Sequence, residues 1–333
     1  TMAVPPNAGA TVAAANTRLY AIGRYYWNLR TRDGIAKSIE YFSRVVADDP
    51  RDARGYAGLA SANAIVADYG YGASSPMVYL ARARKYADRA LSLDPKSSEA
   101  YAVLGLISSQ GMKGAMPQID RGLADLRRAI ALDPTSGSAH EWYGTALLEQ
   151  GHVGEAYAEL NTAAQLEPLS VATTAWLGTA AYLERRYGEA ISYARETIDL
   201  SPQRPDAYET LGLAYEALGD TPSASATFRR LGRACASCRS EAAALLAPLY
   251  ARSNQMAQAR AELTIAQAHH GEVSPDDLAV AFDAIGKHET AMSWLRRWRR
   301  DSHYGGYAAT EIANDPRFAG LRGQIRQRPE KPA

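Results

Sequence analysis

Apolar residues recur along the chain at spacings of three and four, the period of a helix face. Leu19, Ile22, Gly23 and Tyr26 form one such face; Ile35, Ile39, Phe42, Val45 and Val46 form the next. The pattern then repeats at a fixed interval. Gly144, Gly178 and Gly212 stand 34 residues apart, as do Ala156, Ala190 and Ala224, and Pro134, Pro168 and Pro202. Each period holds two helical stripes. The small residue of the first lies opposite the Ala of the second, which lets the pair approach closely. Pro after Asp or Glu ends the second helix, because it has no amide hydrogen to continue the ladder. The expected architecture is all-α, about eight antiparallel helix pairs in a row.

A 34-residue period with small residues at two fixed points and a terminal Pro resembles the tetratricopeptide (TPR) repeat. The resemblance implies a right-handed superhelix, an α-solenoid in which each pair buries its apolar side only against its neighbours. Residues 1–15, rich in Ala, Pro and Thr, read as linker, and six repeats run over 16–238. Residues 239–325 read as degenerate helix pairs, Glu241–Tyr250 with Met256–His269 and Asp276–Ile285 with Glu289–Trp298, then a capping helix within Tyr307–Ile325. Ser274-Pro275-Asp276 has a capping Ser and Pro at the first helical position. Residues 326–333 should fray. The second and third repeats are longer than the period, around Asp68–Pro76 and Gly111–Pro117, where Gly, Ser and Pro mark loops.

Composition narrows the function classes. Hydrophobic residues make up 47% and charged residues 22%, the balance of an ordered chain. The net charge of +1 argues against direct nucleic-acid contact, which needs concentrated basic surface. No apolar run approaches the roughly 18 residues of a membrane span. Asp49, Asp94 and Asp133 each precede a Pro, so they read as repeated helix terminators rather than acid–base pairs. No metalloprotease, P-loop or nucleophile-elbow motif is present, so no catalytic residue, metal or cofactor is assigned. Cys235 and Cys238, in Cys-Ala-Ser-Cys, are the chain's two cysteines. They read as structural thiols or a local disulfide, a redox pair, or half of a metal site. His140 beside Trp142 reads as a packed or rim side chain, and His269-His270 as cations at a helix end. In Arg296-Arg297-Trp298-Arg299-Arg300 the arginines read as a solvated face, with Trp294, Leu295 and Trp298 as the buried stripe.

By the TPR pattern, the first helix of each pair lines a concave groove. The residues placed there are Tyr20, Arg24 and Trp27 in the first repeat, then Glu99, Glu141, Thr145, Tyr182, Glu209 and Glu216. The Lys/Asn/Arg clamp of TPR modules that hold a chaperone's terminal carboxylate is absent at these positions.

Four phrases, Leu19–Pro50, Ala90–Gly105, His140–Leu160 and Asn314–Arg322 (NDPRFAGLR), resemble the repeat region of a bacterial signalling family. It includes CadC-like winged-helix transcriptional regulators, serine/threonine kinases and adenylate cyclases. The resemblance implies an output domain ahead of the repeats, often with a membrane helix between, and favours the periplasm over the cytoplasm. The expected function is a non-enzymatic protein- or peptide-binding module, the sensor or interaction region of such a regulator. The alternatives are a free-standing scaffold for envelope or secretion assembly and a small-molecule sensor using the loops at Tyr69–Tyr79.

Overall fold

The computed structural model describes residues 8–110, 118–235, 238–271, 273–301 and 313–322. Among these every element is helical, and the helices pack in antiparallel pairs as a TPR superhelix fold. The chain divides into two compact units, residues 1–146 with 165–167, and residues 147–164 with 168–333.

The first unit holds three pairs: α1 (Ala8–Asn28) on α2 (Arg32–Asp48), α3 (Ala53–Asp68) on α4 (Pro76–Leu93), and α5 (Ser98–Gln110) on α6 (Ile119–Leu132). The first helices also touch one another, α1 on α3 and α3 on α5. They form an inner layer, while α2, α4 and α6 bury narrower stripes, in α4 of Ala alone. α1 begins at Ala8, inside the stretch read as linker. Ala is the strongest helix former, and Asn16 holds this first half in place: it is buried and its side-chain amide donates to the Val45 carbonyl.

The unit boundary falls within α7 (Gly137–Glu149), and α8 (Val153–Leu166) follows. The second unit pairs α9 (Val171–Leu183) with α10 (Tyr187–Leu200), α11 (Pro205–Ala217) with α12 (Thr221–Ala234), α13 (Cys238–Arg252) with α14 (Met256–Ala268), and α15 (Pro275–Ala284) with α16 (His288–Asp301). α9 rests on α11 and α13 on α15. A 3-10 turn at Pro316–Phe318 lies within the last described stretch.

The sequence columns acquire physical causes. Ala156, Ala190 and Ala224 are fully buried. Close approach at Gly is demanded where an aromatic ring faces it: a Cβ on Gly212 would sit 2.2 Å from the Phe228 ring, and one on Gly23 2.6 Å from Phe42. At Gly178 the nearest neighbour would be 3.5 Å away, ordinary contact, so close approach is not what requires glycine there. Asp49, Asp94 and Asp133 cap their helices twice. Each backbone N–H continues the ladder to the residue four back, and each carboxylate accepts from the N–H two residues on, at 2.9, 2.9 and 3.0 Å. They are structural terminators, as expected.

Several local readings are corrected. α13 starts at Cys238 and carries Pro248 inside it, longer at both ends than Glu241–Tyr250. α15 starts at Pro275 as expected, but Ser274 does not cap it with its side chain; its hydroxyl donates to Asp276 instead. The Asp68–Pro76 loop is pinned: the Tyr71 hydroxyl donates to the Arg30 carbonyl at 2.7 Å, and Arg32 donates to the Tyr71 carbonyl at 3.0 Å. The Gly111–Pro117 insertion, the tail over 326–333 expected to fray, and residues 1–7 and 302–312 lie outside the described residues.

Candidate functional site

Two clusters of polar groups stand on the inner helices, one in each unit. In the first, Glu99 of α5 accepts from the Tyr20 hydroxyl at 2.9 Å, from Arg24 at 2.8 Å and from the Ser61 hydroxyl at 2.7 Å. Sequence placed Tyr20, Arg24 and Glu99 in the groove as separate ligand contacts. The fold brings them together, and they satisfy one another. Burial, and after it the Glu99 charge, pushes the Tyr20 hydroxyl far above its ordinary range. Burial works against the Arg24 cation, but Glu99, Tyr20 and Glu167 together outweigh it and hold the guanidinium above its ordinary range.

Trp27, also expected in the groove, is fully buried. Its ring meets Trp142 edge-on, with the Arg30 guanidinium 3.6 Å and the Arg24 guanidinium 4.3 Å from its centre. The indole is a core anchor that two arginines cover, worth more as packing than as a contact surface. Glu141 is likewise buried. Thr145 hydrogen-bonds back to the Trp142 carbonyl of its own helix, at 3.0 Å. His140 is buried, its Nε2 3.1 Å from the Pro134 carbonyl oxygen, which is the packed reading.

In the second unit the inner face is occupied. Residues 313–322 lie against α9, α15 and α16. The Tyr182 hydroxyl of α9 donates to Asp315 at 2.9 Å. Arg317 donates to Asp277 of α15 at 2.6 Å and lies 2.8 Å from Asp315 as an ion pair. The side chains of Arg317, Asp277 and Asp315 are 4%, 1% and 0% exposed, so this is a desolvated charge network. Phe318 stacks on Trp298, and both Phe318 and Leu321 are fully buried. Each such side chain contributes about 1.5–3 kcal/mol of transfer free energy.

The segment also holds its own shape. Asp315 accepts from the Arg317 N–H at 2.8 Å and from Arg317 Nε at 2.9 Å, and Arg322 donates to the Asp315 carbonyl at 3.3 Å.

Carboxylates outnumber the arginine here. Burial, with Asp276 beside it and Arg317 opposing, pushes Asp277 up to about 8. Burial and then Asp206 and Asp276 push Glu241 up to about 7. Burial raises Asp276 as well. Glu216, named from sequence as a groove residue, is partly buried and pairs with Arg252; desolvation raises it while Arg252 pulls the other way. Beside the segment lies a pocket of about 370 Å³, lined among others by Tyr182, Leu213, Glu216, Leu249, Arg252 and Arg317. Glu209 is half-buried on the same helix as Glu216.

Of the residues gathered here, the sequence reading named Tyr182 and Glu216 but not Asp277, Asp315 and Arg317. The signal for the last two was Asp-Pro-Arg-Phe in a phrase read only as a family mark. Cys235 and Cys238 form a disulfide with Cα atoms 5.2 Å apart, the local bridge among the readings left open. In the arginine run, Arg296 and Arg297 are exposed and Leu295 and Trp298 buried, while Trp294 is only partly buried. Among the described residues no group of His, Cys, Asp and Glu could hold a metal ion, and no helix is long and apolar enough to cross a membrane.

Comparisons with known proteins agree with the fold. One tetratricopeptide repeat model matches residues 116–170 and 144–205, and another matches 181–249. Among solved structures, the human IFIT1 dimer with PPP-AAAA is 15% identical, covers 81% of this chain and 69% of that one, and has a TM-score of 0.54. YrrB, a TPR protein with an unusual peptide-binding site, is 16% identical, covers 63% of this chain and 97% of its own, and has a TM-score of 0.45. Pseudomonas aeruginosa pilF is 19% identical over 69% of this chain and 98% of that one, with a TM-score of 0.46. No curated protein matches. These likenesses concern the fold alone.

Proposed function

We propose that this chain, which has the tetratricopeptide fold and matches that repeat over residues 116–249, works as a non-enzymatic protein- or peptide-binding module. The observation that carries this reading is the inner face of the second unit, which already holds a short peptide segment by side-chain recognition. A preformed helical face orders little on binding, so most of the contact energy is realised as affinity. Panning a random-peptide display library on the full chain tests it. The reading expects peptides that bind saturably and compete with one another; a library that yields no ligand contradicts it.

The quoted phrases favour placing this module in a bacterial signalling or transcription-regulating protein. Deleting the coding segment should then alter transcription of a defined gene set, and unaltered transcripts would remove that placement.

A further inference from the structure

We propose that the face formed by α9, α11, α13 and α15 is a recognition site for arginine-bearing peptides of a partner protein, of the pattern acid–Pro–Arg–aromatic, and that residues 313–322 occupy it in cis as a displaceable strap. The proposal rests on the peptide-binding reading and names the site, the ligand class and the competitor.

Three observations carry it. The determinants are local: Asp315, Pro316, Arg317 and Phe318 are consecutive, and Asp315 fixes the turn through the Arg317 N–H and Nε. A free peptide of this length therefore brings the same turn with it. The face is complementary to a guanidinium, since Asp277 accepts from Arg317 at 2.6 Å and the Asp276 and Glu216 carboxyls lie close enough to feel its charge. A cation is attracted there and a second anion is repelled, except at the Tyr182 hydroxyl that takes the Asp315 carboxylate. Lastly, the strap does not fill the face. The pocket of about 370 Å³ beside Pro316 and Arg317 offers Leu213 and Leu249 with Arg252 and Glu216 at its walls. A longer ligand gains contacts there that the strap leaves unused, which is how an incoming peptide outcompetes a tethered one.

A docked strap reduces apparent affinity by the fraction of time the face is free. The test uses the full chain, its Arg317→Ala variant and a fluorescent peptide of residues 313–322. Arg317→Ala weakens the strap and should bind the peptide about tenfold more tightly than wild type. Asp277→Asn in the Arg317→Ala background should abolish that binding. Equal affinity of wild type and Arg317→Ala overturns the proposal. Should circular dichroism show the Arg317→Ala chain unfolded, wild type decides alone: saturable binding of the peptide that is lost when the peptide itself carries Arg317→Ala supports the site, and absence of binding overturns it. A shift of wild type to twice its mass at high concentration, reversed by the peptide, would mean that a second copy is the occupant and overturns the partner assignment. Display panning separates the two readings. Ligands lacking the acid–Pro–Arg–aromatic pattern overturn this inference and leave the module intact; no ligands at all sink both.

Discussion

The two polar clusters use the same parts to different ends. Each sets a tyrosine hydroxyl and an arginine against a carboxylate on an inner helical face. In the first unit all the parts, Tyr20, Arg24, Ser61 and Glu99, belong to the inner helices α1, α3 and α5 themselves. Nothing can leave without unfolding a repeat. In the second unit Tyr182 and Asp277 belong to the helices, but Asp315 and Arg317 arrive on a segment beyond the last pair, with Asp315 133 residues from Tyr182 in sequence. The first cluster closes its face permanently, whereas the second closes its face with something that can be exchanged. A buried charge network thus means cohesion in one place and recognition in the other, and only connectivity tells them apart.

The first unit should break most severely at Trp27. Trp27→Ala empties a fully buried site and should cost about 3–5 kcal/mol, read as a lowered unfolding transition of this unit. A surface groove residue would cost almost nothing, so this measurement also tests the burial itself. Glu99→Ala comes next. It leaves Tyr20, Ser61 and the largely enclosed Arg24 without their acceptor, and about 2–4 kcal/mol should be lost. Arg24 keeps some solvent contact, 27% of its side chain, which sets the value below that of a fully buried cation.

The second unit should lose stability as the pH rises. Folded Asp277 and Glu241 keep their protons up to about 8 and about 7, while unfolded carboxylates release theirs near about 4. Between those limits the folded chain binds more protons than the unfolded one, so its stability falls as pH rises. Raising the pH from about 5 to about 8 should therefore lower the unfolding transition of this unit. The smallest effect belongs to Tyr182→Phe. It deletes one hydrogen bond to Asp315 and should cost about 1 kcal/mol, visible as faster strap exchange with the unit's melting almost unchanged.

How far sequence could see follows from the same contrast. The repeat period and the helix terminators were legible, because Gly, Ala and Asp-Pro act through neighbours at fixed spacing. The groove list was only half legible. It named the inner helices correctly but could not tell that Trp27 packs into the core or that Glu99 would be claimed by Tyr20 and Arg24. Whether an inner polar residue is free depends on partners 38 to 79 residues away, and no local pattern encodes those. The strap was least legible of all. Asp315-Pro316-Arg317-Phe318 reads locally as a turn, and its seat on Tyr182 and Asp277 exists only once the helices are stacked. The helix through residues 8–15 was missed for a simpler reason: an Ala-rich stretch suits linker and helix alike until Asn16 finds the Val45 carbonyl.

Native-state hydrogen exchange on the wild-type chain tests the central claim most directly. The Arg317 and Phe318 amides, bonded within the strap to Asp315, report its detachment, and the interior amides of α9 and α15 report opening of the unit. The account predicts that the strap amides exchange faster, through a local opening insensitive to low denaturant, and that α9 and α15 stay protected meanwhile. Exchange of all of them together, through one opening with one denaturant dependence, would make the strap a fixed part of the core and contradict the account.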